Sequence, residues 1–291
     1  MNGKLITLLT YKTMTKQLII NADNFGISKE SNRAILDGYN NGYLTSASLR
    51  TNGKAFAAAT EEILPECPNL SIGIQLNLTQ GCALTKNNLL TDKKNKFNSG
   101  FFSIRLKSYR KEYMDEVEKE FRCQIETVLS HTKIDNISSV NNIHLIPNIF
   151  NLVIRLAKEY NIPYVRTQFE ELYFIPKLLK HLNLRYPINL IGLFIINHLS
   201  NKDKKLIQSA NLKTNDYFIG SAYRNMMDCE TVESGLEAID NEKDCVVEIS
   251  INPYINRNRK NNEFKITQDM KLKDSIERMG FELTNYKRIG Q

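Results

Sequence analysis

The sequence has no tryptophan, few prolines and only five cysteines among its 291 residues. The missing tryptophan decides nothing, but the cysteines do. Cys67, Cys82, Cys123, Cys229 and Cys245 are an odd number with no Cys-x-x-Cys pair, which excludes a disulfide framework and a zinc knuckle and fits a reducing cytoplasm. Long apolar runs are also lacking. The longest, Ile188–Leu199, is broken by Asn189, Gly192, Asn197 and His198 and falls short of the roughly 20 residues that cross a bilayer, so it reads as a buried or dimer-facing helix. Leu5–Leu9 is too short for a secretory apolar region, and no small-residue cleavage site follows it. No G-x-S-x-G elbow or G-x-G-x-x-G turn occurs, and Gly53-Lys54 lacks the rest of a phosphate loop.

What is present is the composition of a globular protein, 42% hydrophobic and 24% charged. The net charge of +7 would imply a polyanionic partner only if it were concentrated. The basic runs Lys202–Lys205 and Arg257–Lys260 are not interleaved with aromatics, so they read as solvated faces and no nucleic acid is expected.

Along the chain, residues 1–16 read as an extension. Gln17–Ala22 then reads as a buried strand ending at polar Asp23 and Asn24, followed by a helix over Ser31–Tyr39. Leu44–Leu49 reads as a strand, Lys54–Ile63 as an Ala-rich helix and Leu70–Leu78 as a third strand. Residues 82–108 are polar and irregular, suiting a lid or a plain surface loop. Val117, Phe121, Ile125 and Val128 fix a helix over Tyr113–Leu129. A strand over Asn136–His144, a helix over Ile149–Tyr160, strands at Pro163–Arg166 and Val246–Ile251, and a helix over Met270–Met279 complete the reading. Such alternation predicts one α/β domain over 17–291 with a largely parallel sheet, and pattern alone leaves barrel and open sheet undecided.

The strand end Asn21-Ala22-Asp23-Asn24-Phe25-Gly26, followed by Thr45-Ser46-Ala47-Ser48-Leu49-Arg50-Thr51-Asn52, resembles the N-A-D-D-F-G and T-S-T-S-L-x-x-N segments of the YdjC-like carbohydrate deacetylases. The likeness runs on in order through Gly73–Thr79, Asn142–Pro147, Ile162–Arg166, Phe218–Gly220 and Glu248–Pro253. It implies a distorted (β/α) TIM-like barrel of the glycoside hydrolase and deacetylase type. It also implies a reaction in which a divalent metal activates water to hydrolyse an N-acetyl group on a sugar. Such a metal lowers the pKa of bound water from about 15.7 to about 7, worth roughly 12 kcal/mol as an upper bound.

Laid on the family pattern, this chain departs where that chemistry would sit. Asp23 keeps the place of the presumed base, but its metal-ligating partner is Asn24. The strand histidine is Gln75. In the His-rich segment both candidate ligand positions, Val140 and Asn142, lack imidazole, and only His144 remains. The late histidine is Asn252, with Tyr254 in place of a glycine. Only four histidines exist, and His131, His181 and His198 lie outside the matched motifs, so a relocated imidazole centre is hard to assemble.

Two readings stand for each position. Asp23 is a retained base or an Asp capping the next turn. Asn24, Gln75, Asn142 and Asn252 line a polar cleft for sugar hydroxyls or mark a disused site. His144 is a surviving active-site group or, as preferred, a packed core residue. Arg166 and Glu248 match the family, and Arg166 is expected to pair with a carboxylate such as Glu170 or Glu248. The expectation is therefore a deacetylase-like protein with lost or altered activity, or else a noncatalytic glycan-binding or regulatory protein using the same cleft. No cofactor is expected, and magnesium or zinc would enter only through an unconventional site. An acetylated sugar or oligosaccharide is the expected ligand, with no membrane span and a homodimer as the assembly.

Overall fold

The computed structural model describes residues 15–176, 185–239, 243–253 and 263–289. The chain opens with β1 (Lys16–Phe25), whose Leu18, Ile19 and Ile20 are fully buried on both faces, as a central parallel strand requires. α1 (Lys29–Asn40) starts where the Ser28 side chain accepts the Ser31 N–H, a sequence-local N-cap. There follow β2 (Ser46–Leu49), a short turn of helix α2 (Phe56–Ala58), β3 (Ser71–Leu76), α3 (Phe101–Lys107), α4 (Lys111–Leu129) and β4 (Asn136–Ser139). α5 (Pro147–Glu159), β5 (Tyr164–Val165), α6 (Arg185–Ser209), β6 (Tyr217–Ile219), α7 (Cys229–Glu237), β7 (Cys245–Ile251), α8 (Met270–Arg278) and β8 (Phe281–Leu283) complete it.

The strands pair in the order β5-β4-β3-β2-β1-β7-β6, parallel throughout. β8 pairs with the first three residues of β1, on the edge that β2 takes over from Asn21 onward. This sheet is curled. In a flat sheet β5 would lie about 19 Å from β1, four spacings away, beyond the reach of any side chain. Yet Arg166, directly after β5, touches Asp23 on β1 and Glu248 on β7. The two ends of the path also meet, through a bridge between Tyr164 and Lys213 and the Phe218 N–H donating to Phe169 O at 2.7 Å. The expected distorted barrel is the fold, with one apolar cluster running between the sheet and its helices.

α4 and α5 follow the predicted periodicity, and Val117, Phe121, Ile125 and Val128 are fully buried. Each such side chain contributes about 1.5–3 kcal/mol by leaving water. Elsewhere the structure corrects the sequence reading. The Ala-rich stretch after Lys54 is one α-turn that widens into a π-helix over Ala59–Ile63 and closes as a 3-10 turn over Leu64–Glu66. The irregular segment 82–108 contains α3. The strand expected to reach His144 stops at Ser139, because Asn141 and Asn142 turn the chain with φ of 54° and 58°. β6, α7 and β8 were not foreseen. Lys16 belongs to β1, and the rest of the expected extension up to Met14 lies outside the described residues, as do His181, Tyr254 and the basic run Arg257–Lys260.

Candidate functional site

Parallel strands of a curled sheet leave their C-terminal ends open at one rim, where loops can shape a site. A cavity of about 540 Å³ lies there, with Asp23 and Asn24 from the end of β1, Gln75 from β3, Asn142 from the turn after β4 and Asn252 after β7. The sequence-predicted positions thus converge on one cleft. Val140 lines it too, whereas His144, Arg166 and Glu248 lie beneath it.

The floor is a buried charge cluster. Arg166, with no exposed surface, donates Nη1 to Asp23 Oδ1 and Oδ2 at 3.1 and 3.3 Å and Nη2 to Oδ1 at 3.1 Å. The same Nη2 stands 2.5 Å from Glu248 Oε1, and Tyr286 donates its hydroxyl to Glu248 Oε2. Burial opposes the charge of Arg166, but the carboxylates of Asp23 and Glu248 outweigh it and hold the guanidinium pKa well above its usual value. Burial also pushes the Glu248 carboxyl up, against Arg166 and Tyr286. The expected carboxylate partner is therefore found in Glu248, joined by Asp23. Glu170 is not a partner of Arg166. It accepts the backbone N–H groups of Gly220, Ser221 and Ala222 instead, and burial raises its pKa to about 7.

Asp23 is further tied by Asn21 Nδ2 at 2.9 Å, part of a polar run across the barrel interior in which Asn21 meets Ser48 and Ser48 meets Ser138. His144 is fully buried behind the cleft. Its Nε2 lies 3.1 Å from the Arg166 carbonyl oxygen, which can only accept, so Nδ1 accepts from Ser139 Oγ at 2.5 Å. Burial, with the nearby Arg166 charge, lowers its pKa to about 3, so the ring is neutral.

Above this floor lie the amides of the cleft, with Asn24 at their centre. The backbone of Asn24, at φ 64°, donates to Gln75 Oε1 at 3.3 Å, and its Nδ2 donates to Asn252 Oδ1 at 2.7 Å. Its own Oδ1 accepts Arg50 Nη1 at 3.4 Å. The Asn252 N–H is held at 2.6 Å by Glu263, whose pKa burial raises to about 7. Asn142 Oδ1 accepts from Gln168 Nε2 at 2.7 Å. Arg50 is almost wholly buried, bonds to Asn52 and Gln80 besides Asn24, and has no carboxylate partner among the described residues; burial lowers its pKa to about 10. Sequence reasoning missed Arg50, Gln168, Ser221 and Arg224. Arg50 lies within Thr45–Asn52 and Ser221 directly follows Phe218–Gly220, both segments that the sequence singles out; Gln168 and Arg224 gave no local signal.

With this geometry in hand, the chain can be set beside known proteins. The family model described as YdjC-like protein matches residues 17–280. A carbohydrate deacetylase of Clostridium beijerinckii is 38% identical over 149 residues, which is 50% of this chain and 58% of that relative. One of Brevibacillus brevis is 34% identical over 149 residues, with the same shares. A chitooligosaccharide deacetylase of Yersinia pestis is 31% identical over 152 residues, 52% of this chain and 59% of its own length. The matches thus span less than two thirds of these relatives. Among solved structures, a candidate cellobiose-phosphate cleavage protein of Enterococcus faecalis superposes with a TM-score of 0.71 at 22% identity, covering 95% of this chain and 100% of that one. At that identity the likeness shows the fold alone.

Proposed function

Since the chain belongs to the YdjC-like family, matched over residues 17–280, we propose that its cleft holds an N-acetylated saccharide and that hydrolysis of the acetyl group there is lost or strongly reduced. The observation that carries this reading is the hydrogen-bonded set Asn24, Gln75 and Asn252.

A metal that activates water takes carboxylate, imidazole or thiolate donors. Positions 24, 75, 142 and 252 offer amides. The Asn24 Oδ1 already faces the guanidinium of Arg50, while Gln75 Oε1 and Asn252 Oδ1 accept hydrogen bonds from Asn24. Among the described residues no group of three or more His, Cys, Asp or Glu is placed to hold a metal ion. This donor set does not fit a zinc or magnesium centre. Asp23 alone is a poor substitute for a metal-bound water's activation, because both of its oxygens are already held in hydrogen bonds by Arg166.

Binding is a different matter. A cavity of about 540 Å³ is within the usual range for small-ligand pockets, and amides that donate and accept suit sugar hydroxyls and an N-acetyl group. The names of the relatives, carbohydrate deacetylase and chitooligosaccharide deacetylase, support the same ligand class. Calorimetric titration with diacetylchitobiose tests this. Saturable binding without release of acetate is expected. Failure of every N-acetylated saccharide to bind removes the first half of the proposal, and metal-dependent acetate release removes the second.

A further inference from the structure

One wall of the cleft carries polar groups that the protein itself leaves unused. Gln168 Oε1 and Ser221 Oγ are buried without a hydrogen-bond partner, their residues 4% and 8% exposed, and both residues line the cavity. Beside them Arg224 lines the same cavity. Its guanidinium makes one weak contact, Nη2 to Asn141 Oδ1 at 3.4 Å, and has no carboxylate within ion-pair distance among the described residues. A half-buried guanidinium with N–H groups to spare, on the same wall as a buried hydroxyl without a partner, leaves polar groups that a ligand in the cleft can take up.

The segment that presents them is held firmly. Glu170 accepts the N–H groups of Gly220, Ser221 and Ala222 at 3.2, 2.6 and 3.2 Å, and its own backbone N–H and carbonyl are bonded by Asn197 of α6. Gly220 sits at φ 146°, where a Cβ would come 2.8 Å from the Ser250 carbonyl oxygen, so only glycine lets the loop approach β7 this closely. Because Glu170 fills the backbone N–H groups, what remains for a ligand is the side chains of Ser221 and Arg224. Asp23 and Glu263 are the acidic groups whose charge reaches Arg224. Asp23 is already matched by Arg166, and Glu263 is engaged by the Asn252 N–H.

We propose that Arg224 and Ser221 form an anion-recognising subsite, so that the saccharide taken by this cleft carries a carboxylate or phosphate group, with Gln168 Oε1 accepting from a neighbouring hydroxyl. This rests on the reading that the cleft binds a saccharide, and it adds the charge of that saccharide. Guanidinium and hydroxyl donors converge on anionic oxygens, and charge-assisted hydrogen bonds of this kind discriminate against a neutral group.

Paired titrations test it, with N-acetylglucosamine against its phosphate ester and glucose against glucuronic acid, on the wild type and on Arg224→Met, Arg224→Lys and Ser221→Ala. In at least one pair the anionic sugar binds about tenfold or more tightly, from one charge-assisted hydrogen bond. Arg224→Met abolishes that preference, Arg224→Lys keeps part of it, Ser221→Ala weakens it, and added salt reduces it. The pair that shows the preference identifies phosphate or carboxylate. Unfolding midpoints of the variants separate loss of binding from loss of fold, and Arg224→Lys supplies the folded comparison. Equal affinities within both pairs, or a preference that survives Arg224→Met, overturn the subsite and leave saccharide binding in place. Binding by none of the four sugars overturns both.

Discussion

Arg166 carries its charge into a position without exposed surface and meets two carboxylates there, Asp23 and Glu248. Removing one partner from such a cluster leaves uncompensated charge in a region water cannot reach. Arg166→Met is expected to cost about 3–5 kcal/mol of stability. Arg166→Lys recovers only part of this, since a single ammonium cannot span Asp23 and Glu248 as the planar fork does. Urea unfolding measures both, and a loss under about 1 kcal/mol for Arg166→Met contradicts the account of the floor. His144 supplies a second prediction, with a definite sign. Its folded pKa is about 3 and an unfolded imidazole titrates near about 6.5, so between those values the unfolded chain holds a proton that the folded chain does not. The contribution of His144 is therefore full above about pH 6.5 and is lost as the pH falls toward about 3. His144→Gln removes this term. The variant is expected to lose less stability than the wild type between pH 6.5 and 4, and parallel curves would show that the ring is not held neutral.

At the scale of elements, α6 is the segment with surface to explain. Leu193 and Leu199 face the core and Ile188 and Ile196 line the cleft, yet Ile191 and Phe194 are about two-thirds exposed. The homodimer expected from the sequence would cover this face. Sedimentation tests it: a wild-type dimer that Phe194→Glu returns to monomer supports the assembly, and a monomer in both removes it. Elements with strong periodicity were legible. β1 read as a buried strand and β7 as a strand, α4 as an amphipathic helix and α5 as a helix. Others were not, for physical reasons. β6 and β8 are three residues each, too short for any period to register. α7 did carry a signal, since Asp228 and Thr231 form a capping box ahead of Val232 and Leu236. The turn after β4 lay inside a segment that reads as strand, with Ile137, Val140 and Ile143 spaced along it, while the consecutive Asn141 and Asn142 adopt a left-handed backbone that a strand pattern does not anticipate.

Across the whole molecule, the curled sheet brings together residues that the chain keeps far apart. Asn24 and Asn252 are separated by 228 positions and Asp23 and Arg166 by 143, yet both pairs are in hydrogen-bond contact. The amides at 24, 75, 142 and 252 were legible one by one as expected departures from the pattern the sequence resembles. Their arrangement was not, because only folding shows that Asn24 bonds both Gln75 and Asn252 and that Arg50 takes up the Asn24 side-chain oxygen. The wall at Ser221 and Arg224 was invisible for the same reason, since the Phe218–Gly220 segment that precedes it gives no sign of the cleft it faces. On the proposed reading, this barrel binds a saccharide in a cleft whose amides stand where donors able to hold a water-activating metal would be needed. The most direct test is to measure bound metal and acetate release together, on the purified protein supplied with zinc or magnesium and diacetylchitobiose. The account predicts no stoichiometric metal and no acetate above the uncatalysed background. One equivalent of metal with sustained acetate release would contradict it.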